Sequence, residues 1–275
     1  VQSDCADFLR ALLAAAETNL PDWTAWCKVC AKWKRNYPVL QEAYAKESPV
    51  NSYYFMNMLS KLAAESMTIL VDTGSCFHVA CQTWKIKKGQ TFLTTGGLSS
   101  MGYWPAGIGA CMAKGKAPTI VITGDGSLQM NIQEFAAIHY HKLPIKVFVL
   151  NNNGYLLIRH TQRNFMDGRL VGEGPASGVW CPDTMKVAAT YGIKGIRISC
   201  IQELQAKIQE ALEYDGPVIC EVLTPEWQLL MPRVASEKLP DGRLVSRNYE
   251  DMYPFLPQEE LQENMIAEHE ERKKI

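Results

Sequence analysis

No run of about 20 apolar residues occurs in the 275-residue chain, so the sequence offers no membrane-spanning helix. No secretory leader is visible. A cationic surplus is also missing. The 28 Lys and Arg are matched by 29 Asp and Glu, for a formal net charge of −1, which argues against a nucleic-acid or anionic-membrane binder. Repeats and low-complexity tracts are absent. So are complete nucleotide loops: GxxxxGK[ST] does not occur. The GxGxxG pattern fails twice, with Gln129 where Gly124 and Gly126 need a third glycine and Met112 where Gly107 and Gly109 need one. The second pair also lies inside a helical pattern rather than on a strand-to-helix turn. NAD and ATP are set aside on these grounds.

A paired metal motif is lacking too. Cys27 and Cys30 form a lone CxxC in WCKVCAKW. It would be half a zinc site or a redox pair, but no second CxxC or His pair stands at the required spacing. A helix explains the stretch well, and it is the favoured reading. The nine cysteines are odd in number and fall mostly in segments that read as helix or strand. They read as reduced thiols of a cytoplasmic protein. Hydrophobic residues at 47% and charged residues at 21% are ordinary for a globular chain with a sizeable core. The length suits one large domain, or one domain with appendages.

Residues 1–47 read as helical and rich in Trp and Lys, with Ser3 or Asp4 as the first cap and Pro21 where a second helix would begin. A different rhythm follows Pro49. Short apolar runs (TILVDTG, TFLTTGG, APTIVITGDG, PIKVFVLNNN, KGIRIS, PVICEVLTP) alternate with helical patterns such as NSYYFMNMLSKLAAES, YWPAGIGACMAKGK, NIQEFAAIHYHK, TMKVAATYGI and IQELQAKIQEALEYDG. About five parallel strands are expected between 68 and 223. The fold class is α/β: a doubly wound, mainly parallel sheet with helices on both faces. Residues 226–275 form an extension, irregular at first and ending in a charged helical segment whose EHEERKK reads as a solvated face. Ligands of such sheets bind beyond the carboxyl ends of the strands, and DTG, TTGG, TGDG and LNNNG all fall there.

Glycine turns at strand ends can hold a diphosphate through backbone N–H groups, and a divalent ion would accompany it. Such an ion prefers oxygen: a carboxylate, an amide oxygen, a main-chain carbonyl and phosphate. Asp125 offers the carboxylate, and an asparagine at the end of the next strand offers the amide. The carbonyl two residues on offers the third oxygen. Gly126 and Ser127 would start a helix with N–H groups facing phosphate, and Gly126 would let it approach closely. The competing reading makes Asp125 and the asparagines ordinary turn residues.

GDG followed by 24 residues and then NN resembles the signature of thiamine-diphosphate enzymes. The resemblance implies Mg²⁺ held by Asp125, the side chain of Asn152 and the main-chain oxygen of Gly154, with Gly126, Ser127, Asn152 and Tyr155 against the cofactor. TTGGLSSMGYWPAGIGA resembles the acetolactate synthase turn that grips the aminopyrimidine. It implies Met101 wedged between the cofactor's rings, where a plain core methionine is the alternative. The Met101 N–H and the Ser99 carbonyl would face the pyrimidine edge. VDTGSCFHVACQ is similar to that family's segment near the terminal phosphate, which implies Gly74, Ser75 and Cys76 there, with Ser75 and Cys76 replacing Gln and His.

The resemblance covers roughly 1–235, with 1–47 similar to the end of a central domain and 48–225 to the diphosphate-binding domain. In this family a glutamate on a separate pyrimidine-binding domain activates the cofactor, and no second α/β domain is read here. Beginning at Val1 rather than Met, the chain is expected to be the C-terminal part of a longer enzyme. Alone it would bind thiamine diphosphate weakly and not turn over. Its expected partners are a 2-keto acid, a pyrimidine-binding domain of the same or a partner chain, and further copies in a homodimer or homotetramer. Decarboxylation and carboligation are the implied chemistry. The alternatives are a 2-keto acid decarboxylase, a flavin-linked oxidase with FAD in the central domain, or a non-catalytic thiamine-diphosphate-binding module.

True acetohydroxyacid synthases carry a tryptophan nine residues after the second metal Asn. Thr161 stands there, which implies a wider, more polar pocket and an acceptor that is larger or sugar-derived. Arg159 and His160 would either face the substrate carboxylate or lie on a solvated helix face. His139 and His141 read as structural or surface residues, and Glu134 as an ordinary helix residue.

Overall fold

The computed structural model describes residues 2–15, 22–239 and 241–272. Pro21, expected to open the second helix, lies outside them, as does the end of the terminal charged run. The chain divides into two compact units: Val39–Met231, and Val1–Pro38 together with Pro232–Ile275.

The smaller unit opens with α1 (Cys5–Ala15) and α2 (Thr24–Asn36). Asp4, of the two expected caps, accepts from the Ala6 N–H at 2.8 Å. In the larger unit a short 3₁₀ turn precedes α3 (Ser52–Leu62), which Asn51 caps through the Tyr53 N–H at 2.9 Å. Next come β1 (Thr68–Val71), α4 (Ser75–Thr83), β2 (Thr91–Thr94), α5 (Ala106–Ala113) and β3 (Thr119–Gly124). The chain continues through α6 (Asp125–Leu128), α7 (Phe135–Tyr140), β4 (Ile145–Asn151) and α8 (Leu156–Phe165). The larger unit closes with α9 (Thr184–Thr190), β5 (Lys194–Ile198), α10 (Ile201–Glu213) and β6 (Val218–Leu223). The smaller unit resumes with the antiparallel ribbon of β7 (Ser236–Lys238) and β8 (Leu244–Ser246) and ends in α11 (Gln258–Arg272). There α2 meets α11: the Trp33 Nε1–H donates to Asn264 Oδ1 at 2.9 Å and the Tyr37 hydroxyl to Glu260 at 2.6 Å.

All six strands of the main sheet are parallel, in the order β2-β1-β3-β4-β6-β5. Each of the six apolar runs named in the sequence becomes a strand, one more than the five or so expected, and the two edge strands are the least buried. TFLT of β2 is only partly buried, and KGIRI of β5 is exposed where it begins. The inner strands are buried on both faces, and alternation assigns their side chains to two cores. Ile69, Val71, Ile120, Ile122, Phe148 and Leu150 face one cluster with Tyr53 and Phe55 of α3. Leu70, Val121, Val147 and Val149 face another, with the rings of Trp104 and Phe135 tilted at 32° and 4.8 Å apart.

NIQEFAAIHYHK is not one helix. Residues Gln129–Glu134 form a 3₁₀ segment in which Asn131 departs to φ −141°, and α7 starts only at Phe135. The Asn131 amide instead donates to the Gly102 carbonyl at 2.7 Å, a polar contact that helix-period reasoning does not foresee. All nine cysteines are free. Among the described residues no helix is long and apolar enough to cross a membrane.

Phe148 is fully buried on β4 with its ring 5.7 Å from that of Phe55. Phe148→Ala should cost about 3–5 kcal/mol of unfolding free energy, read from the denaturant midpoint at unchanged slope.

Candidate functional site

The strand order sets the carboxyl ends of β2, β1, β3 and β4 in one row, each followed by a polar or glycine turn. At the centre β3 pairs with β4 as far as Gly124↔Leu150. The next residue on β3's side is Asp125, and the Asn152–Gly154 loop leaves β4.

Asp125 is 2% exposed. One carboxylate oxygen accepts the Gly126 N–H at 3.0 Å, and the other accepts the Gly154 N–H from across the strand gap at 2.9 Å. Burial pushes its carboxyl up to about 6, against the pull of those two N–H groups and of Arg159. Asn152 is also buried, and its Oδ1 finds no hydrogen-bond partner among the described residues. Buried acceptors are rarely left unpaired. A carboxylate next to a loop with an orphaned amide oxygen and a main-chain carbonyl fits a hard divalent cation. Gly154, at φ +133°, can only be glycine, since a Cβ would lie 2.1 Å from the Glu173 carbonyl oxygen. The flanking asparagines hold the turn. Asn151 Oδ1 accepts the Asn153 N–H at 2.9 Å, and the Asn153 amide donates to Glu226 at 2.6 Å.

Around this centre the other expected residues are engaged in unequal ways. Gly126 does need to lack a side chain, since its Cβ would lie 2.2 Å from the Tyr155 ring. The Ser127 hydroxyl donates to Asp72 at 2.7 Å and accepts the Gly102 N–H at 2.7 Å. Gly74 has φ +80° and open space where a Cβ would be, and Ser75 and Cys76 begin α4 behind it. Burial pushes the Cys76 thiol well above its ordinary range, so it stays neutral. Ser99, at φ +49°, has its carbonyl bonded by the Thr73 hydroxyl at 2.8 Å. Met101 is 42% exposed, which overturns the plain core reading.

Sequence reasoning missed Asp72. It is fully buried and accepts four hydrogen bonds: from the Thr73 N–H (2.8 Å), the Tyr103 N–H (3.1 Å), the Thr123 hydroxyl (2.8 Å) and Ser127. It ties the turn after β2 to the ends of β1 and β3. The only signal was an acid directly before a glycine turn. Cys181 was also missed. Burial and the nearby Asp125 carboxylate push its thiol up to about 11.

The solvated-face reading of Arg159 and His160 fails, since both are buried. Arg159 is 3% exposed on α8 and pairs with the equally buried Glu173, so it is neither solvated nor free for a substrate. His160 is buried with Nε2 2.8 Å from the Gln228 carbonyl oxygen. Thr161 is exposed, with its hydroxyl turned back to the Leu157 carbonyl at 3.0 Å. His139 and His141 are at the surface, and Glu134 is partly exposed. Cys27 and Cys30 are exposed on α2, and among the described residues no group of three or more His, Cys, Asp or Glu side chains surrounds a metal position.

A sequence family described as "Thiamine pyrophosphate enzyme, C-terminal TPP binding domain" matches residues 72–222. The acetolactate synthase large subunit of Cyanidium caldarium is 33% identical over 242 residues, 86% of this chain and 40% of that protein. The mitochondrial acetolactate synthase catalytic subunit of Saccharomyces cerevisiae is 34% identical over 217 residues, 76% of this chain and 31% of that protein. The chain thus spans 40% or less of the length of these relatives. Among solved structures, benzoylformate decarboxylase from Polynucleobacter necessarius superposes with a TM-score of 0.60 at 19% identity, over 70% of this chain and 36% of that one. That likeness concerns the fold.

The raised carboxyl of Asp125 makes the metal-free fold pH-dependent. A carboxyl lifted from 3.8 to about 6 favours the protonated folded state. That contribution is complete below about pH 4 and is lost as pH rises through about 6, a loss of about 3 kcal/mol. Thermal denaturation without metal should show the midpoint falling from about pH 4 to a little above pH 6 and levelling off beyond. The fall should shrink in Asp125→Asn.

Proposed function

The chain belongs to the thiamine pyrophosphate enzymes, and on that premise we propose that it is the cofactor-anchoring part of an acetolactate-synthase-like enzyme acting on a 2-keto acid. The observation that carries the proposal is the orphaned Asn152 Oδ1 in the loop whose Gly154 N–H reaches the buried Asp125 carboxylate. Asp125, Asn152 and Gly154 would hold Mg²⁺. Gly74, Ser75, Cys76, Gly126, Ser127, Asn152 and Tyr155 would line the diphosphate, and Ser99 and Met101 the pyrimidine. When bound, the cofactor supplies the electron sink for 2-keto acid decarboxylation.

The chain's own task is to hold and orient. Open space at Gly74 and the backbone N–H groups entering α4 and α6 suit an anion at the strand ends. The exposed Met101 side chain sits on a turn fixed by Asp72 through the Tyr103 N–H and by Thr73 through the Ser99 carbonyl. A domain outside this chain, on the same polypeptide or a partner copy, would contribute the activating glutamate within a homodimer or homotetramer. Without it this chain would not turn over. The binding domain proper would be 48–225, and FAD, if used, would sit in the central domain. The free thiols suit the cytoplasm.

Thr161 supports a more specific reading. Its small, exposed side chain, bonded back to its own helix, would leave room for a larger, more polar acceptor than a second pyruvate, including a sugar-derived one.

Isothermal titration of the full-length protein should show thiamine-diphosphate binding that requires Mg²⁺, and Asn152→Ala should raise the Mg²⁺ requirement at least about tenfold. No Mg²⁺-dependent binding by the unmodified protein would overturn the assignment. Incubation with pyruvate alone should give little acetolactate, and rapid formation would count against the larger acceptor.

A further inference from the structure

The guanidinium of Arg159 is fully consumed. Its Nε–H donates to the Glu173 carboxylate. Nη1 donates to the Asn152 carbonyl at 2.7 Å and the Glu226 carbonyl at 3.0 Å. Nη2 donates to the Asn153 carbonyl and to the Glu173 carbonyl at 3.3 Å. Arginine has five N–H groups, and each has one acceptor here. None is left for a substrate. Two of the five acceptors are main-chain oxygens of the loop after β4. The Glu173 carbonyl is also shared, taking the Tyr155 N–H at 2.8 Å, and it occupies the place of a Gly154 side chain. Glu173 is braced in turn, its N–H donating to Ser177 Oγ at 2.9 Å. Gly174 makes room as well, since its Cβ would lie 2.7 Å from Nη2.

We propose that Arg159 and Glu173 are positioning residues for divalent-ion binding, closing a buried clamp around residues 152–155 that decides which loop oxygens an ion can reach. The inference rests on the metal assignment of Asp125, Asn152 and Gly154. The clamp holds the carbonyls of 152 and 153. The two oxygens the proposed site uses, Asn152 Oδ1 and the Gly154 carbonyl, are not among those it takes. Both members are buried, with side chains 3% and 6% exposed, so the pair stays dry and its geometry rigid. Glu173 also cancels the guanidinium charge. An unpaired guanidinium in that position would repel a divalent cation at short range and low dielectric. Lysine could keep the charge but not the five-way planar fork.

The test uses the full-length protein and measures the Mg²⁺ concentration at half-saturation of thiamine-diphosphate binding, by titration calorimetry or tryptophan fluorescence, alongside thermal stability. Arg159→Lys and Glu173→Gln should each raise that concentration at least about tenfold. Saturating Mg²⁺ should return cofactor affinity to near the unmodified value. Val218→Ala, at the opposite end of the sheet in the core, should lower thermal stability and leave the Mg²⁺ requirement unchanged. If both clamp variants melt earlier with an unmoved Mg²⁺ requirement, the clamp is only structural and the inference is overturned, while the proposed function stands. If the unmodified protein binds no cofactor with Mg²⁺, the proposed function itself falls. Should Arg159→Lys not fold, Glu173→Gln decides alone.

Discussion

The hydrogen bond from the Gly154 N–H to Asp125 joins two neighbouring strand ends, and the site depends on it. It is possible only because β3 and β4 run parallel as neighbours, so that both chains leave the sheet on the same side. A buried carboxylate is expensive without partners. Here two backbone N–H groups serve as those partners, and the turn of α6 and the loop after β4 are thereby locked in one arrangement. Everything polar nearby is arranged in successive layers around that contact.

Two of those layers are themselves buried charges. On one side Asp72 gathers donors from the turn after β1, from β3, from α6 and from the turn after β2. On the other, Arg159 and Glu173 enclose the asparagine loop. Removing one partner of such an arrangement leaves an uncompensated charge, which is far costlier than never having had the pair. The placement of these charges at strand ends rather than in the sheet interior is consistent with a rigid platform that meets an anionic, metal-bearing ligand. The sheet itself contributes a two-sided, mainly apolar foundation, with Lys146 on β4 and Glu221 on β6 as buried charges.

Much of this was legible beforehand where the signal is local. Inner strands announced themselves as unbroken apolar runs because parallel strands are covered on both faces. The edge strands did so less clearly, since TFLT and KGIRI are covered less. The turn residues were legible as well, because glycine and asparagine at strand ends have few other uses. Local signal misled at Asn131, where a helical pattern is broken by a side chain bonding to Gly102, and at Arg159 and His160. RHTQRN looks like a solvated stretch by composition. Burial came from Glu173, 14 residues on, and from the segment around Gln228, 68 residues on.

The amino-acid sequence by itself determined the class of fold, the family and the order in which chemistry-bearing turns follow the strands, because each depends on residues within one short stretch. Only the tertiary structure decided which polar groups are spent on one another. Asp72, Ser127 and Arg159 are fully engaged, while Asn152 Oδ1 is left without a partner. That division depends on which strand lies beside which. The order β1-β3-β4-β6 is a matter of packing across the sheet, and no local periodicity records it.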